Sequence, residues 1–200
     1  VQVDALVPND TTVIGFNYIN GNSVSFQNNN GEVTIPWNDS YAVTDKFTIE
    51  AYINVNSAQN YEGFLDFGNH SVDTLQQRGF GFFLYSGGWR FYLKTTETNY
   101  DDIGYLVASA SINTWVHFAV TLKNENLTLY RDGIFVDSTD YEGTVDWSGF
   151  SGDLKLGSFN KTETKFFDGK IDEVRFWNIA RDENLIKAYK GVALNGTEDG

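Results

Sequence analysis

The sequence predicts an all-β fold: an antiparallel β-sandwich or jelly roll closed by one short C-terminal helix. Three observations carry this reading. Short stretches of alternating apolar and polar residues recur along the chain, each the mark of a half-buried strand. Turn pairs such as Asn20-Gly21, Asn30-Gly31, Gly87-Gly88 and Asp132-Gly133 separate them, at the spacing of about 8–12 residues typical of sandwiches. Only one segment, near the C-terminus, carries a helical apolar stripe. The 200 residues suit one domain of this class. Residues 1–190 are expected to form it, with 191–200 as a tail or linker.

Thr12 to Tyr18 reads as an edge strand. Asn20-Gly21 accepts the positive φ of a tight turn and leads into Ser23 to Phe26. After Asn30-Gly31 come Val33 to Ile35 and the Pro36-Trp37 loop. Phe47 to Val55 is the clearest strand. Phe47, Ile49, Ala51, Ile53 and Val55 form one apolar face, while Thr48, Glu50, Tyr52 and Asn54 form a polar face for solvent or a groove. Residues 63–68 and 79–85 are Phe-rich strands flanking the polar stretch from Asn69 to Arg78. Trp89 to Lys94 follows a Gly-Gly turn. Residues 95–105 are polar, with Asp101 and Asp102 between Tyr100 and Tyr105. Trp115 to Leu122, Leu127 to Tyr130, Ile134 to Val136 and Leu154 to Gly157 complete the middle of the chain.

The stretch from Phe166 to Asn178 is the last strand. Strict alternation puts Ile171, Glu173, Arg175 and Trp177 on one face, with Glu173 and Arg175 able to pair. Asp172 then shares the other face with Val174 and Phe176, so its carboxylate needs a partner if that face is core. Asp182 to Lys190 is the helix. Asp182 caps its start, Leu185, Ile186 and Tyr189 form its stripe, and Gly191 follows its end.

Composition excludes several functions. The formal net charge of −13 argues against nucleic acid, whose phosphates demand Lys and Arg, and against anionic membranes and strongly anionic glycans. With no cysteine, thiolate catalysis and Cys-ligated zinc are excluded. No apolar run approaches the roughly 20 residues of a membrane helix, and no signal segment is present. The start at Val1 suggests a mature product or a domain of a longer chain.

Five separated motifs, taken together, resemble a known family. They are Phe47-Thr48-Ile49-Glu50-Ala51-Tyr52-Ile53, Trp115-Val116-His117-Phe118-Ala119-Val120-Thr121, Leu129-Tyr130-Arg131-Asp132-Gly133, Leu156-Gly157, and Phe167 to Asn178. In this order they look like laminin-G-like members of the concanavalin A-like lectin/glucanase fold, which also includes pentraxins. The resemblance covers about residues 12–190 and implies a concanavalin A-like jelly roll. It places Trp115 and Trp177 in the core and makes His117 a structural histidine. It further implies a glycan- or protein-binding module of a secreted or cell-surface, often bacterial, multidomain protein, commonly with calcium.

Glucanases of this fold carry Glu-x-Asp-x-Glu on one strand, because retaining hydrolysis needs two carboxylates about 5 Å apart. The motif is absent here, and adjacent Asp172 and Glu173 alternate onto opposite faces. The chain is therefore expected not to be an enzyme. Calcium takes six to eight oxygen ligands. Pentraxin calcium loops correspond to residues 69–73 and 158–163, so the resemblance offers Asp73, Asn160 and Glu163 as ligands, although Ser158-Phe159-Asn160-Lys161 replaces the pentraxin acidic run. Asp172 is a further candidate ligand, for a structural calcium near Asn17–Asn22. Its alternative is a structural carboxylate bonded to backbone N–H groups or to Arg175 or Arg181.

Sugar binding needs aromatic faces for pyranose C–H surfaces, with amides and carboxylates for the hydroxyls. Trp37, Trp147, Tyr100, Tyr105 and Tyr141 fall in loops outside the motifs and are the stacking candidates. Asp101, Asp102 and Asp146 stand near them in sequence, and Trp89 fits either core or ligand. The expected function is a non-catalytic carbohydrate-binding or adhesive module, with a polysaccharide, glycan or glycoprotein as partner. A protein-interaction or spacer domain competes with it, as does a glycoside hydrolase or polysaccharide lyase.

Overall fold

A computed structural model describes residues 14–15, 23–26, 31–58, 62–69, 78–97, 108–150, 152–159, 165–192 and 194. The strands in chain order begin with β1 (Ile14–Gly15), β2 (Val24–Phe26), β3 (Val33–Ile35), β4 (Lys46–Val55) and β5 (Gly63–Asn69). β6 (Arg78–Tyr85), β7 (Gly88–Leu93), β8 (Ala108–Ser109), β9 (Trp115–Lys123) and β10 (Asn126–Arg131) follow. The set closes with β11 (Ile134–Asp140), β12 (Leu154–Leu156), β13 (Ser158–Phe159), β14 (Lys165–Phe166) and β15 (Gly169–Trp177). The helix α1 spans Glu183–Tyr189.

Two antiparallel sheets face each other. The first runs β1-β15-β4-β9-β10-β11, with β2 pairing the other half of β15, and the second runs β3-β12-β5-β6-β7-β8. β13 and β14 form a separate two-stranded ribbon. Alternation decides what lies between the sheets. Phe47, Ile49, Ala51, Ile53 and Val55 of β4 point inward, as predicted, beside Val116, Phe118, Val120 and Leu122 of β9. They meet Phe67, Phe80, Phe82, Trp89, Phe91 and Leu93 of the second sheet, where Phe47 stacks on Phe80 at 4.7 Å. Burying side chains of this size supplies roughly 1.5–3 kcal/mol each.

The closing strand departs from strict alternation. Asp172 pairs Tyr52 and Arg175 pairs Glu50, so β15 spends one more residue than β4 over that interval: a β-bulge. Glu173 takes the left-handed conformation, φ 49°, and its N–H donates to Asp172 Oδ1 at 2.9 Å. The bulge puts Ile171, Val174 and Phe176 in the core. Asp172 therefore does not share the face of Val174 and Phe176. It lies on the outer face with Arg175 and Trp177.

The polar face of β4 is not left to solvent along its whole length. Chain after β15 folds back over it, and Thr48 and Glu50 are fully buried. Asp182 caps α1 through its bond from the Leu185 N–H, 2.9 Å, as expected. Of the predicted stripe only Ile186 is fully buried, and Leu185 is exposed. Packing continues past the helix, because Arg175 Nη2 donates to the Val192 carbonyl at 2.6 Å and Leu194 is buried. None of the described helices is long and apolar enough to cross a membrane.

Candidate carbohydrate-binding site

One end of the sandwich is closed by two loop crossings that bring distant aromatics together. After β3 the chain leaves the second sheet at Pro36, makes a single 3-10 turn at Asp39–Tyr41 capped by Asn38, and enters β4. The segment 141–150 crosses the same end. Val145 donates to the Thr44 carbonyl, and Thr95 bridges Val145. Trp37 and Trp147 are thereby set 5.1 Å apart with planes tilted by 42°. Phe150 packs at 4.7 Å from Trp37, and Tyr41 meets it edge-on at 6.1 Å. Phe80, 5.7 Å from Trp147, ties the cluster to the core.

Both indoles are half-buried and fixed by their N–H groups. Trp37 Nε1 donates to Asp39 Oδ1 at 3.0 Å, and Trp147 Nε1 to the Val43 carbonyl at 2.8 Å. A polar rim surrounds them. Asn38 and Asp39 are exposed, and Asp146 lies 3.6 Å from Arg78, whose Nε also donates to the Ser148 carbonyl. Sequence reading found Trp37, Trp147 and Asp146 but not Asn38, Asp39, Tyr41 or Phe150. The pattern Pro36-Trp37-Asn38-Asp39-Ser40-Tyr41, with an Asx cap, was the available signal.

Two other ligand candidates are core residues. Trp89 is 1% exposed and packs against Phe64, Phe82 and Phe118, because its place in β7 points it inward opposite Leu84. Tyr141 is 8% exposed at the margin of the core. Trp115 reverses the core expectation. It lies on the outward face of β9 and is 40% exposed, whereas Trp177 is buried beneath Arg181, whose guanidinium sits 3.7 Å from its ring. Tyr100, Tyr105, Asp101, Asp102, Asp73, Asn160 and Glu163 lie outside the described residues.

Beneath the returning chain is a buried ionic cluster. Glu50 Oε1 accepts from Trp177 Nε1 at 2.9 Å and lies 3.6 Å from both Arg175 Nη1 and Arg181 Nη1. His117 Nε2 is 3.3 Å from Glu50 Oε2. Burial pushes the Glu50 carboxyl up, but His117, Arg175 and the Trp177 bond outweigh it and hold it below the usual glutamate range. Arg175 also bonds Glu173 and the carbonyls of Tyr189 and Val192. This cluster clamps the helix to the sheet, and His117 belongs to it. The arginines that sequence reading offered to Asp172 serve Glu50 instead.

Among the described residues, no group of three or more His, Cys, Asp or Glu side chains is placed to hold a metal ion. The Asn17–Asn22 segment expected to share a calcium with Asp172 lies outside the described residues. Burial pushes the Asp172 carboxyl above the usual aspartate value.

The concanavalin A-like lectin/glucanases superfamily, in its laminin G form, matches residues 26–187. The chain belongs to that superfamily. No curated protein matches it in sequence. Solved structures of the superfamily fold are similar at low identity. Domain 4 of AbnA, a GH43 extracellular arabinanase from Geobacillus stearothermophilus solved with arabinotriose, has a TM-score of 0.63 at 14% identity, covering 88% of this chain and 80% of that one. The CBM40 of Ruminococcus gnavus IT-sialidase, bound to α2,3-sialyllactose, gives 0.66 at 16%, covering 85% and 96%. Botulinum neurotoxin type C, whose cell entry depends on two ganglioside molecules, gives 0.59 at 19%, covering 82% of this chain and 40% of the neurotoxin chain.

Proposed function

We propose that the chain is a non-catalytic carbohydrate-binding module of a secreted or surface multidomain protein. Its glycan platform is the end of the sandwich around Trp37 and Trp147. The observation that carries this reading is the fixed indole pair, half-buried and rimmed by Asn38, Asp39, Asp146 and Arg78. Rings held by their own N–H bonds lose little freedom when a sugar stacks on them, so less of the contact energy goes to ordering. Carbohydrate ligands of the arabinanase domain and of the CBM40 support the same class. The net charge of −13 favours neutral glycans.

A non-catalytic role agrees with the acidic side chains of the closing strand. Asp172 and Glu173 straddle a bulge, and Glu173 is engaged by Arg175 at 2.7 Å. Calcium held by Asp73, Asn160 and Glu163, or by Asp172, remains part of the proposal.

Affinity electrophoresis in gels containing neutral plant and bacterial polysaccharides tests the reading. Retardation by at least one of them is expected, with Trp37→Ala abolishing it while a cooperative unfolding transition shows that the chain still folds. No retardation by any polysaccharide, or retardation unchanged in Trp37→Ala and Trp147→Ala alike, refutes it. A spacer domain gives the first of those results, and release of reducing ends would mark a hydrolase.

A further inference from the structure

We infer that the outer face of the helix-bearing sheet carries a second sugar-binding surface, for a neutral hexopyranose unit, built from Trp115, Tyr52, Asn54, Asp172 and Lys170. It lies at the end of β4 opposite the Trp37–Trp147 cluster and does not depend on that site. Nine residue steps along β4 separate the two ends, roughly 30 Å at strand spacing.

Strand register brings the five together. Trp115 pairs Asn54, and Asn54 pairs Lys170, so these three form one row across β9, β4 and β15. Tyr52, two residues back on the same face, pairs Asp172 in the next row. Directly opposed residues on neighbouring strands have Cβ atoms about 4.5–5.5 Å apart, so the set spans the width of a few strands. Farther along the same face the outward residues are engaged with one another. Thr48, Glu50, His117, Arg175 and Trp177 are buried in the clamp under the helix segment. The clamp stops at Tyr52, whose ring meets His117 edge-on at 4.9 Å. Beyond it none of the described residues forms part of the clamp, and Asn54 and Asp172 are partly exposed.

What this part of the face offers is the complement of a sugar. Trp115 is 40% exposed on a regular strand and has no ring partner among the described residues. Pairing with Asn54 of β4 holds its backbone at the first residue of β9, so its face is presented from a strand end. The Asn54 amide, the Tyr52 hydroxyl and the Lys170 ammonium carry no hydrogen bond to a described residue. Asp172 spends Oδ1 on the Glu173 N–H and leaves Oδ2 open. An apolar face beside an amide, a carboxylate and a hydroxyl suits a ring with one C–H face and vicinal hydroxyls. With Ile171 in the core, alternation turns Asp172 outward, and the bulge at Glu173 returns Val174 and Phe176 to the core. Lys170 offsets the Asp172 carboxylate within the surface, and the acidic chain around it selects a neutral sugar over an anionic one.

Tryptophan indole N–H signals in a 15N-labelled sample test the inference on the whole chain. The Trp115 signal is assigned by its loss in Trp115→Phe, and the Trp37 and Trp147 signals likewise. Cello-, manno-, malto- and galacto-hexaose are titrated separately. At least one is expected to shift the Trp115 signal saturably, and to do so equally in a Trp37→Ala/Trp147→Ala variant. Trp115→Ala and Asp172→Asn are each expected to weaken this binding about tenfold or more, while the melting temperature is held. A Trp115 signal unmoved by all four sugars overturns the inference. If Trp37 and Trp147 shift in that case, the end site stands alone. If only Trp115 shifts, this surface stands and the end site falls.

Discussion

Replacing Glu50 by Gln tests the clamp between helix and sheet. The substitution keeps the side-chain volume and an oxygen for Trp177 Nε1, but removes the charge facing three buried bases. Arg175 and Arg181 are 2% and 3% exposed, and both guanidiniums lie 3.6 Å from Glu50 Oε1. Arg175 retains Glu173, whereas Arg181 retains the faces of Trp177 and Tyr189, 3.7 and 4.5 Å away. Removing one member of a buried ion pair leaves an uncompensated charge and costs about 3–5 kcal/mol. For a domain of this size each kcal/mol moves the melting temperature by about 2–4 °C, so a fall of roughly 6–20 °C is expected. Urea unfolding followed by tryptophan fluorescence measures it, with an unchanged m-value showing that the same surface still unfolds. Amide exchange should locate the damage first at residues 183–192, where Arg175 holds the carbonyls of Tyr189 and Val192. A loss below about 1 kcal/mol, the range of exposed pairs, would refute the clamp.

Acid should act on the same group. The Glu50 carboxyl is lowered in the folded chain, so its contribution is complete above the ordinary glutamate range, about 4.3. It is lost as pH falls through the lower folded value. The melting-temperature gap between the parent and Glu50→Gln should therefore narrow between pH 6 and pH 3, and a constant gap would contradict this assignment. Gly157→Ala should destabilise by roughly 2–6 kcal/mol, read from the urea midpoint. The backbone there has φ +81°, and an added Cβ would lie 2.1 Å from a Phe26 ring atom. Millimolar calcium should raise the melting temperature by mass action and EDTA should lower it. A melting temperature unmoved by either would remove calcium from the proposal.

Much of the fold was legible in local pattern. The apolar faces of β4, β9 and β10 follow from alternation alone, because a strand with one buried face must repeat with period two. Asp182 announced the start of α1 as a capping residue before an apolar stripe. The candidate sites were only half legible. Trp37 and Trp147 were found as loop aromatics, but no sequence rule says that residues 110 positions apart will pack at 5.1 Å. Trp89, which fitted either core or ligand, is core, and Trp115, expected in the core, is exposed. Alternation states that faces differ and does not state which face the other sheet will cover.

The closing strand shows where local pattern stops. Sequence alone identified it as the segment that completes the fold, and it paired Glu173 with Arg175, 2.7 Å apart in the structure. A single extra residue at Glu173 then reversed the faces on either side. Bulges arise from pairing with a neighbour strand, here the match of Arg175 to Glu50 and Asp172 to Tyr52. That match is made because Glu50 is a buried charge that needs Arg175, and a buried charge finds its partner only in three dimensions. Sequence thus determined the central strands, the inward faces of β4, β9 and β10, and the helix cap. Tertiary structure decided that Glu50 would be the hub of the clamp, that Asp172 would face outward, and that Trp115 would stand in the open.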